Sequence, residues 1–410
     1  MEIINQYKGL QKEIYVLFIC KLIDNAGSMI GPMFTLILSS KMGMNGKEIA
    51  LYLSLFTIIS MPIQIIGGRI GDKLNKKHII NIFDTTSTLI YLICGILGLN
   101  KYTLFIYMAG SLIQYAESPI YDSLISDFTT SADREKAYSL NYIGLNLGLA
   151  LSPTIGGLLL ENHLSLMFII SGISELISII IFNIYVKQTY SIKDESNIYE
   201  KSNEKDNIAT ILKQNKVILI SLLIFSIGCI TYMMYGYLMP LTLSDIHQEL
   251  GSLYYGTISS TNCIVVFTCT VLFTKLLEKC TSINKMILAQ VCEIIGYLLF
   301  LIFINKTYIY YPAIIIFTFG EIINTISTSP FVTRRIPINY RSRILSIINI
   351  FETMSGCLGE LFIGTVYDNY GYKQAWIITI LLMVLIIILL ELIKKLDKKS
   401  YPELYKNNIA

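Results

Sequence analysis

The sequence predicts an all-α membrane protein of twelve transmembrane helices in two pseudo-symmetric six-helix bundles, and three observations carry that prediction. Apolar residues make up 53% of the 410 residues and charged ones only 15%, against roughly 25% charged in a typical soluble protein. That much apolar surface cannot be hidden inside one soluble core, so its solvent is lipid. The apolar residues fall into twelve runs, each near the roughly 20 residues a helix needs to span a bilayer. Finally, Lys and Arg alternate between the links in the manner expected if every run crosses the membrane.

The first run, 14–38, follows a short polar start and carries Lys21 and Asp24. No small-residue cleavage site follows it, so it reads as a retained helix and not as a cleaved leader. The next five runs are 48–70, 79–99, 103–126, 137–160 and 165–186. The last six are 217–241, 253–275, 284–304, 308–331, 343–367 and 374–395. Most links are short, which makes neighbouring helices antiparallel. One link, 187–216, is long, polar and mixed in charge, and reads as a flexible or surface-lying cytoplasmic linker. It separates an N-terminal bundle (1–186) from a C-terminal bundle with a short cytoplasmic tail (217–410).

Charge placement orients these helices. With the N-terminus inside, the inner segments hold 26 Lys and Arg residues and the outer loops only five: Lys41, Lys47, Lys101, Lys306 and Lys373. A missed helix would have inverted everything after it, so count and orientation support each other. Both termini are expected in the cytoplasm of a bacterial cell, at its plasma membrane, since the Ile, Lys and Asn bias suggests an AT-rich bacterium. An internal repeat agrees with two bundles. The fourth run ends S-P-I and is followed by R-E-K-A-Y-S, and the tenth ends S-P-F and is followed by R-S-R-I-L-S. The two copies fall at equivalent places in the halves, as internal duplication requires.

Several function classes are excluded. The net charge of +3 gives no electrostatic case for nucleic acid. The eight cysteines form no C-x-x-C pair and read as small core-filling side chains, and the three histidines are scattered, so no metal site is expected. No nucleophile elbow, metal motif or phosphate loop appears, so neither an enzyme nor a chain with its own ATPase is expected. A transport-dead sensor would need a soluble module or a long interaction tail, and the tail is short.

A charge at bilayer depth is unfavourable and marks a pathway by default. Asp24 lies near the middle of the first helix, with Asn25 beside it and Lys21 one turn earlier. Lys21 and Asp24 could neutralise each other, or Asp24 could take a proton or a cationic substrate. Gln114, Glu117 and Asp122 lie on the fourth helix, Glu117 roughly 14 Å from its inner end at 1.5 Å per residue. If Asp24 and Glu117 lie near each other, two such carboxylates make a protonatable site. Asp122, nearer the inner face, fits a cytoplasmic charge network with Asp127, Arg134 and Arg341. Asp84, Glu175, Glu293, Glu321, Glu352 and Glu360 are second-rank candidates, more often interhelical hydrogen-bond partners. The stretch Tyr232–Pro240, Y-M-M-Y-G-Y-L-M-P, suits either a soft cleft wall through Tyr232 and Tyr235 or an aromatic belt at the outer interface. Asn262 could add a hydrogen bond to a substrate.

Two local patterns carry a resemblance. Between the second and third runs stands G-R-I-G-D-K-L-N-K-K. It resembles motif A of the major facilitator superfamily at Gly68, Asp72, Lys73, Lys76 and Lys77, with Asn75 at the place of a second Gly. Asn tolerates the left-handed conformation, so a tight turn is feasible there. The fifth run carries G-L-A-L-S-P-T-I-G-G. It is similar to motif C of the drug:proton antiporter branch at Gly148, Pro153, Gly156 and Gly157, with Ser152 replacing a Gly. Small residues permit close helix packing, and Pro153 removes one backbone hydrogen bond, which bends a helix. The fourth helix reads Q-Y-A-E-S-P-I-Y-D-S, without the Arg of the family's helix-4 motif.

The resemblance implies two bundles around a central cleft that rock to open it to either side in turn. It implies that Asp72 meets the positive end of the eleventh helix near Ser342–Ile344 as a latch, with charge pairs from Lys73, Arg134 and Asp127. Lys76 and Lys77 serve either that latch or topology. The function expected is secondary transport of a small organic solute, as proton-coupled efflux or, alternatively, as proton-coupled uptake of a sugar, amino acid or peptide. The partners expected are a small-molecule substrate, protons and the lipid bilayer, with no cofactor beyond the proton gradient, no nucleic acid, and a monomeric state.

Overall fold

The structure, a computed structural model, describes residues 4–43, 46–98, 100–160, 163–186, 198–200, 211–213, 215–247 and 251–406. Most of the expected linker 187–216 lies outside the described residues. Helices occupy all twelve runs. The first holds α1 (Lys12–Gly27) and α2 (Ile30–Leu36). The next five are α3 (Gly46–Lys73), α4 (Lys76–Leu97), α5 (Lys101–Asp127), α6 (Arg134–Leu160) and α7 (Leu164–Tyr185). The seventh run holds α8 (Lys216–Gly236) and α9 (Leu238–His247). Then come α10 (Gly251–Leu276), α11 (Ser282–Ile302), α12 (Tyr310–Thr333), α13 (Arg341–Tyr370) and α14 (Tyr372–Ser400), with a short α15 (Pro402–Lys406). Among the described residues, eight stretches qualify as spans on length and apolarity alone. The helix α5 is not one of them, and it carries Gln114, Glu117 and Asp122.

Three helices begin on an asparagine whose side chain accepts from the backbone N–H three residues on: Asn75 from His78, Asn100 from Thr103 and Asn215 from Ile218. Each satisfies one of the donors a helix start leaves free. Asn75 therefore acts as a cap at φ −64°, not as a left-handed turn residue. The first run is also not continuous. It breaks at Ser28, and the Gly27 carbonyl accepts from the Met29 backbone N–H at 2.8 Å and from the Ser171 hydroxyl at 2.6 Å. In lipid such a break persists only where side chains re-satisfy the freed backbone. The seventh run breaks at Tyr237.

The chain divides into two compact units. One joins residues 7–193 with 338–347, and the other joins 1–6, 194–337 and 348–410. In the first, α4 packs on α5 and α7, α3 on α5, and α1 on α6 and α7. In the second, α11 packs on α12 and α14, α10 on α12, and α8 on α14. Four of these pairings correspond position for position, which is the tertiary form of the repeat around Pro119 and Pro330, each inside its helix. The core of the second unit is aromatic. Tyr297, Phe300, Phe317 and Trp376 are buried together, with the Trp376 indole donating to the Thr242 hydroxyl. Large apolar side chains such as Ile96, Ile264 and Leu361 remain exposed, as lipid-facing helices require.

The motif C residues do packing work. A side chain at Gly148 would lie 2.6 Å from Asn25 Cβ and 2.7 Å from the Leu22 carbonyl, so only glycine lets α6 approach α1 this closely. Gly156 faces Met29 and Met33 in the same way. Pro153 and Gly157 lie within α6, and their side-chain surroundings are outside the described set.

Candidate functional site

Each unit contains a cavity lined by carboxyl groups. In the first unit it measures about 160 Å³ and lies between α1, α4, α5 and α7. From α1 and its break come Lys21, Asp24, Asn25 and Ser28; from α4, Asp84; from α5, Gln114, Glu117, Ser118 and Tyr121; from α7, Glu175. Glu175 is 5% exposed and its carboxylate is fully engaged. It accepts from the Ser87 hydroxyl at 2.5 Å, the Thr88 hydroxyl at 3.1 Å and the Gln114 amide at 3.0 Å. The Gln114 carbonyl in turn accepts from the Tyr91 hydroxyl.

Asp24 is held differently. Its Oδ2 accepts from Ser178 at 3.0 Å, while its buried Oδ1 has no partner. Asp84 and Glu117 line the same cavity, and carboxyl groups gathered in one buried place can hold a proton among them. Of the two readings of Asp24, the self-neutralising pair with Lys21 does not form. Lys21 makes no ion pair among the described residues, and its Nζ lies over the Tyr121 ring, 5.2 Å from the centroid. Asn25 turns back to donate to the Lys21 carbonyl. Asp24 and Glu117 thus share one cavity, together with Asp84. Four carboxyl groups face one ammonium, so the cavity can take up protons or a cation.

The second unit's cavity measures about 200 Å³ and lies among α8, α11, α12, α13 and α14. Tyr232, Gln290, Glu293, Glu321 and Glu352 line it beside Phe225, Met286, Ile386 and Leu390. Glu321 accepts from the Tyr232 hydroxyl at 3.2 Å and from the Asn262 amide at 2.6 Å. Two of the residues expected at a substrate cleft are not in the lining. Asn262 stands behind Glu321 and also donates to Thr318. Tyr235, about 60° around the helix from Tyr232, stacks on Phe317 and bonds Ser259. Glu360 is outside the lining too, although Glu352 is in it.

The motif A residues form a third cluster. Asp72 accepts from the backbone N–H groups of Ser342 and Arg343, at 3.1 and 3.2 Å, and from Arg343 Nε at 2.6 Å. A carboxylate at a helix N-terminus meets free donors and the positive end of the dipole. Burial raises the Asp72 carboxyl above its ordinary value against the opposing pull of Arg343 and Lys76. Gly68 lets the helices touch, since a side chain there would lie 2.2 Å from Ser346 Oγ. Asp127 bridges Lys76, at 2.5 Å, and Arg341, at 3.1 Å. Arg134 is fully buried and donates to the Ser126 and Thr129 carbonyls.

Three expectations need correction here. Lys73, assigned to the latch, is exposed, and neither it nor Lys77 makes an ion pair among the described residues. The Asp122 carboxylate likewise makes no ion pair among them, and only its backbone carbonyl is bonded, by Tyr138. One turn of helix separates Asp122 from the inner end where Asp127 sits, too far to join that cluster. Asp72→Ala is therefore expected to lower the thermal stability of the purified protein by about 1.5–3 kcal/mol, the usual range for a hydrogen bond to a charged group, while Lys73→Ala leaves the melting temperature unchanged. Equal effects of the two substitutions would contradict this reading.

Sequence reasoning ranked Asp84, Glu175, Glu293, Glu321 and Glu352 second, yet these complete the two cavities. The signal was an acid at bilayer depth. What it lacked was any indication of which acids meet.

The sequence model of the Major Facilitator Superfamily matches residues 17–360. The quinolone resistance protein NorA of Staphylococcus aureus is 25% identical over 216 residues, which is 50% of this chain and 54% of that protein. Multidrug resistance protein 2 of Bacillus subtilis is 24% identical over 180 residues, 41% of this chain and 43% of that one. The chain thus spans about half the length of the curated relatives it matches, or less. Among solved structures, a bacterial homologue of the iron transporter ferroportin in an outward-facing state superposes with a TM-score of 0.73 at 13% identity, covering 94% of this chain and 100% of that one. The human organic anion transporter MFSD10 (TETRAN) superposes with a TM-score of 0.71 at 11% identity, covering 92% and 98%. At these identities the likeness shows the fold.

Proposed function

The chain belongs to the Major Facilitator Superfamily, and from that premise we propose that this membrane transporter exports a small organic solute in exchange for protons. It is a transporter and not an enzyme. Exchange requires a group that binds a proton in one state and releases it in another. The observation that carries the reading is the cavity of the first unit, where Asp24 keeps one buried oxygen without a partner and Asp84 and Glu117 stand in the same lining. An acid with a free oxygen inside a polar cavity can exchange protons; one saturated by donors, such as Glu175, serves better as a structural anchor. The relatives named for quinolone and multidrug resistance support an amphipathic substrate.

Everted vesicles containing the protein test the proposal. An inward-acid gradient is expected to drive accumulation of a fluorescent amphipathic solute inside them, and collapse of the gradient by an ionophore to release it. Accumulation unaffected by the ionophore would remove the proton from the mechanism, and gradient-driven uptake seen only in right-side-out vesicles would reverse the direction.

A further inference from the structure

Resting on the transporter reading above, we propose that the cavity of the second unit is a binding site for a protonated amine or amidine that carries N–H donors on an apolar or aromatic body. The cavity supplies the matching chemistry. Glu293, Glu321 and Glu352 line it, and no lysine, arginine or histidine does. No basic side chain of the lining stands beside Glu293 and Glu352, and a cation would bring a positive charge there. Gln290 is 3% exposed and its amide nitrogen donates to Glu293 at 2.9 Å. That bond fixes which end of the amide is which, so the carbonyl end is turned to the other side. There Gln290 Oε1 is buried and has no hydrogen-bond partner. A buried acceptor without a donor is unfavourable, and a ligand N–H removes the deficit.

The rest of the lining fits the body of such a ligand. Phe225, Met286, Ile386 and Leu390 are each at most 8% exposed and form an apolar wall. Tyr232 adds an aromatic face, and its hydroxyl is already committed to Glu321. Aromatic faces attract any cation, including a quaternary ammonium. Gln290 Oε1 discriminates further, because only a cation bearing N–H can satisfy it. Sites built to hydrogen-bond a ligand N–H reject the analogue lacking it far more strongly than apolar pockets reject a size change.

The test is calorimetric titration of the purified full-length protein in lipid nanodiscs with three ligands of common body: phenylbutylamine, its trimethylammonium analogue and phenylbutanol. The amine is expected to bind roughly 10- to 100-fold more tightly than the trimethylammonium analogue, as for a hydrogen bond gained in a buried site, and the neutral alcohol more weakly than either. Gln290→Met, similar in size but without the acceptor, is expected to narrow the amine-to-trimethylammonium ratio. Glu293→Gln is expected to weaken the amine. Equal binding of the amine and the trimethylammonium analogue by the unmodified protein would overturn the proposal, as would equal binding of the alcohol or no binding of the amine. A protein that fails this titration but still exchanges protons for another solute in vesicles loses the amine site and keeps the transport reading.

Discussion

Asp24→Asn is expected to abolish proton-driven solute transport in reconstituted vesicles while leaving the melting temperature close to that of the unmodified protein. The geometry separates these two effects. One oxygen of Asp24 accepts from Ser178, and the other is buried without a partner. An amide keeps the first bond and removes only the ability to take and release a proton. Glu117→Gln is expected to act in the same direction, because it removes a second protonatable group from the cavity that holds Asp24. Glu175→Gln provides the contrast. Its two oxygens accept three hydrogen bonds, and an amide nitrogen can accept none of them. It is expected to lower the stability first, by about 1–3 kcal/mol for donors left unsatisfied, read as a lower melting temperature. Full gradient-driven activity in both Asp24→Asn and Glu117→Gln would end the assignment of the proton site, although the fold would stand.

The largest loss of stability is expected from Arg335→Ala. Arg335 and Asp397 are both fully buried and form a bidentate pair at 2.6 and 2.7 Å. The Arg335 guanidinium also lies over the Phe331 ring at 4.0 Å, and the Tyr405 hydroxyl donates to Asp397 at 2.6 Å. Burial, with the Asp397 carboxylate beside it, pushes the Tyr405 phenol above its ordinary value. Removing one partner of a buried pair leaves the other as an uncompensated charge, which costs about 3–5 kcal/mol. Thermal unfolding in detergent should show it. The double substitution Arg335→Met with Asp397→Leu should recover most of the loss, because a buried ion pair is often replaceable by apolar residues of similar volume. A double variant as unstable as Arg335→Ala would mean that the pair holds this region by more than its charge, for example through the Tyr405 hydroxyl bond to Asp397, which the double substitution also removes.

The fold was legible because lipid imposes a simple rule. A spanning segment must be apolar, helical and long, so composition alone locates it. Twelve runs read from the sequence correspond to helices with ends moved by a few residues. The two breaks were not legible. At the break beside Ser28 the Gly27 carbonyl accepts from Ser171, far away in the chain, as well as from the Met29 backbone N–H, and hydropathy carries no trace of the Ser171 bond. Motif A was legible as a pattern, and Asp72 lies against Ser342 and Arg343. The roles of its lysines were not, since Lys73 and Lys76 are three residues apart and only Lys76 reaches Asp127.

The candidate sites divide in the same way. Each buried acid could be named from the sequence, because ionisable groups at bilayer depth are rare and stand out singly. Their grouping could not. Asp24, Asp84, Glu117 and Glu175 come from four different helices, and Glu293, Glu321 and Glu352 from three. The sequence by itself determined the solvent, the number of helices and the residue types available for chemistry, because these follow from local hydropathy and charge. Only the tertiary structure decided which carboxyl groups are saturated and which keep an oxygen free, because that depends on the rotation and packing of each helix against partners far away in the chain.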